Sequence, residues 1–202
     1  MAMAENRLID WLYSFSFSIL KCLLLNIKWM LFTLLGLVVF GIFPATAALF
    51  AIVKKWLQGD NYIPSFYSIY KKEFVKSNLY GLLFAFIGTV LYCDLLMLQQ
   101  TSIVFLQFLY IPALVVSFLY LCAVASFFIL SAHYQLSGLK LLKYSFIFPI
   151  IHPFFTAKMV FGLLAVSYLC ITFPSLPFLF GGSISSIYLM WIFSKLKLID
   201  RG

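Results

Sequence analysis

Apolar residues along this chain do not recur at the spacing of a soluble helix face. They run on without interruption. Five stretches hold close to twenty mostly apolar residues each: residues 23–43, 79–98, 105–131, 155–173 and 177–194. That is the length at which an α-helix, rising about 1.5 Å per residue, crosses about 30 Å of hydrocarbon. Their apolar character is continuous, whereas the strands of a transmembrane barrel would alternate. Pro112 lies inside the third stretch and should kink it. Pro174-Ser-Leu-Pro177 separates the last two and predicts an antiparallel hairpin. The expected fold is all-α: a polytopic α-helical membrane protein with five transmembrane helices. It would form a single integral membrane domain over residues 1–202.

Short amphipathic interfacial helices are expected beside these spans. Arg7, Asp10, Ser14, Ser18, Lys21 and Lys28 fall at helical spacing among Leu, Phe and Trp. This segment reads as an outer-surface helix leading into the first span. A sixth span over residues 8–25, or a helix buried or contacting a partner, are the alternatives. Pro44 lacks the N–H that a continuing helix needs and biases Phe43 away from the helical region. The first span should therefore end at Pro44, near the inner face of the membrane, and lead into a surface-lying helix. Ala45, Ala47 and Ala48 allow close packing. Lys54, Lys55 and Trp56 suit headgroup depth, and Gly59 ends the segment. Residues 65–77 resume as a surface helix with Phe66, Ile69, Tyr70 and Phe74 on one face. Residues 44–77 thus read as a cytoplasmic elbow. Pro44, Lys54, Lys55, Trp56 and Phe74 are its candidate partner-docking residues.

Composition narrows the class. The 202 residues are 64% hydrophobic and 10% charged, with mean hydropathy +1.07. Soluble domains run near about 45–50% apolar and about 25% charged. A soluble fold could not cover this much apolar surface. The formal net charge of +8 comes from lysines spread between the apolar runs. It therefore points to topology and to the headgroups of membrane lipids, not to nucleic acid. With five spans, eleven of the fourteen basic residues fall on one side. Arg7, Lys21 and Lys28 fall on the other. The expectation is N-terminus outside and C-terminus cytoplasmic. Cys22, Cys93, Cys122 and Cys170 sit singly in apolar runs, which suits small buried hydrophobes and neither zinc nor a disulfide.

Candidate chemistry is sparse. No G-x-S-x-G, P-loop or H-E-x-x-H motif occurs. The six acidic residues are too scattered for a catalytic dyad, two histidines cannot form a multi-histidine iron site, and no acidic cluster completes a facial triad. No enzyme, metal or cofactor is expected. Asp94 stands out because a carboxylate inside an apolar run is expensive. Pro44 back to Lys28 and Asn78 forward to Asp94 are both 16 residues, about 24 Å of helix. In antiparallel spans the two charges would reach one depth. An intramembrane ion pair of Asp94 with Lys28 or Lys21 is expected. Gly181, Gly182, Ser183 and Ser186 form a small-residue helix-packing patch. A contact with a partner or second copy, or a pore lining, are its alternatives.

The runs N-I-K-W (26–29), F-P-A-T-A-A-L-F (43–50), K-K-W-L-Q-G-D (54–60) and K-K-E-F (71–74) resemble the YesL-like family. These are small bacterial integral membrane proteins grouped under a domain of unknown function. The resemblance is most specific over residues 22–95. It implies a bacterial plasma membrane of the Gram-positive type and an association with carbohydrate uptake through ABC importers. Permease subunits of such an importer are the partners it implies. It supplies no catalytic residue. The expected function is a non-enzymatic accessory or scaffold protein beside oligosaccharide import. A small stand-alone channel or secondary transporter is the alternative, and a homo-oligomer stays open.

Overall fold

The computed structural model describes residues 2–60, 62–101, 103–134 and 138–196, with side chains at all of these except 2–11, 14, 104 and 105. Helix α1 (Ala2–Leu35) is a single rod of 34 residues, about 51 Å long. The amphipathic segment does run into the first span as one helix, but the apolar stretch long enough to cross a membrane shifts from the expected 23–43 and takes in much of the segment expected at the surface. The membrane-compatible part of α1 is Phe15–Leu35. The side chains of Arg7, Asp10 and Ser14 lie outside the described ones, as do Lys197 and Arg201.

The first break corrects the expectation of a stop at Pro44. α1 ends at Leu35, and a turn over residues 36–41 leads into α2 (Ile42–Gln58). Two glycines make the turn possible. A Cβ on Gly36 would collide with the Gly41 backbone, and one on Gly41 with the Thr33 carbonyl. Pro44 lies in the first turn of α2, where its missing N–H has no helical partner to lose. α2 ends where the sequence places glycine. Gly59 adopts φ 73°, its N–H donates to the Trp56 carbonyl, and the Asp60 N–H donates to that of Lys55. That is the Schellman arrangement.

α2 is not a surface helix. Pro44, Ala45, Ala48, Leu49 and Val53 are fully buried, and α2 packs against α1, α3, α5 and α8. It doubles back along α1. Trp29 Nε1 donates to Thr46 Oγ1 at 3.1 Å, and Lys21 Nζ lies 5.6 Å from the Trp56 ring. The alanines that let α2 approach its neighbours put it in the core.

α3 (Phe66–Gln100) is capped by Ser65, whose Oγ accepts from the Ser68 N–H. It is also unbroken, so the expected surface helix and second span are one element. α4 (Val104–Phe108) and α5 (Tyr110–His133) are separated at Leu109. Pro112 cannot donate to the carbonyl of Phe108, so the third apolar run breaks there. α3 and α5 pack antiparallel. Tyr80 and Phe84 lie against Phe127 at 5.5 and 5.2 Å, and Tyr120 Oη donates to the Phe84 carbonyl. α6 (Gly138–Ile151) packs on α5 and precedes α7 (Pro153–Thr172). A wide π turn (Pro177–Gly181) then opens α8 (Gly182–Ser194). α7 and α8 form the expected hairpin. Gly162 receives Tyr188, and Phe155 lies 6.0 Å from Phe193.

Among the described residues, five helices are long and apolar enough to cross a membrane, and no strand occurs. Their outward faces carry Phe86, Phe161 and Ile171 at 70–80% exposure, a surface suited to lipid. The protein is a multi-pass, all-α membrane protein.

Candidate functional site

The polar centre of the bundle is Asn26, fully buried on α1. In a regular helix the Gly182 N–H would bond to the Phe178 carbonyl. Here the Asn26 amide stands between them. Its Nδ2 donates to the Phe178 carbonyl at 2.7 Å and to that of Pro177 at 3.3 Å. Its Oδ1 accepts from the N–H groups of Gly182 at 3.0 Å and Ser183 at 3.2 Å. A side chain inserted into the ladder is a recognised cause of such a wide turn. The small-residue patch serves this contact. A Cβ on Gly182 would crowd Asn26 and Trp29, and Ser183 and Ser186 are fully buried, their hydroxyls donating to the carbonyls of Phe180 in the π turn and of Ser183.

The Asp94–Lys28 pair is not formed. Both residues are exposed, and the salt bridge found among the described residues joins Lys55 to Asp60 at 3.7 Å. Lys28 and Asp94 do not reach one depth, because α1 ends at Leu35 and not at Pro44. The rings of Phe32 and Tyr70 meet at 5.0 Å. From there Lys28 is about 6 Å along α1, while Asp94 is about 36 Å along α3. Lys21 instead lies over Phe17 at 4.4 Å and beside Trp56.

The elbow residues separate as well. Pro44 is in the core and Phe74 packs at 5.5 Å from Tyr70. Lys54 and Lys55 line a cavity of about 780 Å³ between α2, α3 and the end of α5. Lys72, Lys76, Tyr62, His133 and Tyr134 also face it, and Glu73 is the acidic residue among the described residues that line it. Lys54 Nζ donates to the Ala132 carbonyl at 3.1 Å. Burial pulls the Lys54 ammonium below the ordinary lysine range; Asp60 opposes this and Lys55 adds to it. Lys72 and Lys76 make no ion pair among the described residues. Small side chains at Ala47, Ala51 and Ser131 leave the space open. Beside it, Leu130, Tyr144, Ile147, Phe148, Ile151 and His152 surround an apolar cleft of about 370 Å³, and Tyr134 lines both spaces.

The sequence matches curated proteins over nearly its whole length. It is 31% identical over 199 residues to "Uncharacterized protein YteU" of Bacillus subtilis (strain 168), covering 96% of this chain and 86% of that protein. It is 36% identical over 191 residues to "Uncharacterized protein YesV" of the same organism, covering 93% and 91%. "Uncharacterized protein YesL" is 31% identical over 176 residues, covering 85% and 82%. Residues 22–95 match the family model described as "Protein of unknown function, DUF624". The chain belongs to the DUF624 family. No solved structure matches it.

The DUF624 segment holds Asn26, Trp29 and Thr46 and the α2–α3 walls of the basic cavity. Sequence reasoning treated Asn26 as part of a motif, not as a clamp. A lone Asn in the apolar run LLLNIKW is the signal, because a buried amide must find partners. The cavity was half visible, since Lys54 and Lys55 stood out. Its other wall, Lys72 and Lys76, entered only the count of basic residues and, for Lys72, the K-K-E-F run.

Proposed function

We propose that this DUF624 protein is a non-enzymatic accessory or scaffold protein of the bacterial plasma membrane, acting beside a carbohydrate ABC importer. The observation that carries the reading is the length of α3. Its 35 residues make about 52 Å of helix, against about 30 Å of hydrocarbon. One unbroken rod thus reaches beyond the bilayer and can present a rigid face to a partner. Tyr67, Lys71 and Val75 share that face at four-residue spacing and are exposed. The carbohydrate importer itself rests on the family resemblance.

Mild-detergent purification of the full chain, followed by mass spectrometry, tests this. Permease subunits are expected with the native protein and lost with Tyr67→Ala/Val75→Glu. Recovery of the native protein without any permease subunit would overturn the reading. The channel or transporter alternative needs a wet path along Asp94, Lys158, Asn26 and the serines of the last span. Asn26 and those serines bond instead to nearby backbone, so the accessory reading is preferred.

A further inference from the structure

The two adjoining spaces at the end of α5 have opposite chemistry. One is basic: Lys54, Lys55, Lys72 and Lys76 line it with Glu73 as the acidic residue among the described lining, and Asp60 acts on Lys54 and Lys55 from beside it; the other is walled by aliphatic and aromatic side chains. Tyr134, one residue past the end of α5, lines both. α5 is one of the membrane-crossing helices, and it ends at His133. The junction therefore sits where a membrane span terminates, at the depth of lipid headgroups. Lys72 and Lys76 are one turn apart on α3, and like charges at that spacing repel. Among the described residues neither has an ion-pair partner. Lys55 is already engaged by Asp60, and Lys54 directs its ammonium to the Ala132 carbonyl with donors to spare. An anion seated between these lysines would relieve the repulsion and accept charge-assisted hydrogen bonds. An apolar body attached to it would fill the cleft beyond Tyr134.

We propose that these two spaces form one site for an anionic phospholipid, its phosphate held by Lys54, Lys72 and Lys76 and its acyl chain lying in the cleft walled by Ile147, Phe148 and Ile151. The shared chemistry is a phosphate ester, which a lipid headgroup or a free organic phosphate could supply. The apolar cleft favours the lipid. The site is independent of the importer reading.

Thermal unfolding of the full chain in an uncharged detergent distinguishes these sources. The probes are dihexanoyl phosphatidylglycerol, dihexanoyl phosphatidylcholine and glycerol phosphate. The phosphatidylglycerol should raise the midpoint in a saturable way, the phosphatidylcholine should not, and glycerol phosphate should act only at much higher concentration. Lys72→Gln/Lys76→Gln should weaken the phosphatidylglycerol response by roughly tenfold or more. Lys72→Arg/Lys76→Arg should keep it, which separates lost charge from lost folding. Equal protection by phosphatidylcholine, or an unchanged response in the glutamine variant, would overturn the site. Glycerol phosphate acting as well as the lipid would assign the anion to a free phosphate and overturn the acyl-chain half.

Discussion

Removing the Asn26 amide takes a partner from two backbone N–H groups and two carbonyls on the opposite helix. Each buried orphan costs about 1–3 kcal/mol. Not all of them stay unpaired once the turn relaxes, so Asn26→Leu should destabilise by on the order of 2–4 kcal/mol. Asn26→Asp should also destabilise, because a carboxylate would face the carbonyls of Pro177 and Phe178 without a hydrogen to donate. Ser126 makes the contrast. Its hydroxyl is buried without a partner among the described residues, so Ser126→Ala should leave the midpoint unchanged or raise it. Tryptophan fluorescence during thermal unfolding in detergent reads all three. An Asn26→Leu midpoint equal to the native one would mean that the clamp carries no net stability. The residue type was legible in the sequence, but its partners were not, because they lie 151 to 157 residues along the chain.

At the scale of elements, hydropathy reported which segments are helical and apolar but not where the first one folds back. The turn lies inside LLGLVVFGIF, whose apolar character continues through it. Pro44 drew the break eight residues too late, although proline is harmless in a first turn. The true turn is strained. Leu37 and Val38 have φ of 55° and 63°, a region that costs a residue with a Cβ about 1–2 kcal/mol. Their side chains are exposed, so trimming one loses little packing. Val38→Gly should therefore stabilise by about 1 kcal/mol. Gly41→Ala should destabilise strongly, since its Cβ would meet the Thr33 backbone. Midpoints moving the other way would contradict this turn geometry. Misplacing the turn also misplaced α2. Its lysines and tryptophan suggested a surface, while its small residues placed it in the core. Gly59 was legible because a left-handed helix end demands glycine.

Across the whole molecule, the long-range expectations depended on counting from the wrong break. With α1 ending at Leu35, Lys28 and Asp94 have no reason to couple. Asp94→Asn and Lys28→Gln should then be additive in stability, within about 0.5 kcal/mol. A larger coupling energy would restore the pair. Orientation rests on a different quantity, the concentration of lysine on one side, although Lys21, expected opposite the elbow, lies beside Trp56 and drops out of that count. α3 makes it measurable in one element. It is a single helix from Phe66 to Gln100, so if it crosses the bilayer its two ends face opposite compartments. With the four cysteines replaced by alanine, Lys71→Cys near one end and Thr101→Cys just past the other provide two reporters. An impermeant maleimide added to intact cells should label Thr101→Cys and spare Lys71→Cys until the cells are lysed. The reverse pattern would place the basic cavity and the exposed face of α3 outside, beyond the reach of any cytoplasmic partner. Labelling of both from outside would mean that α3 does not cross at all.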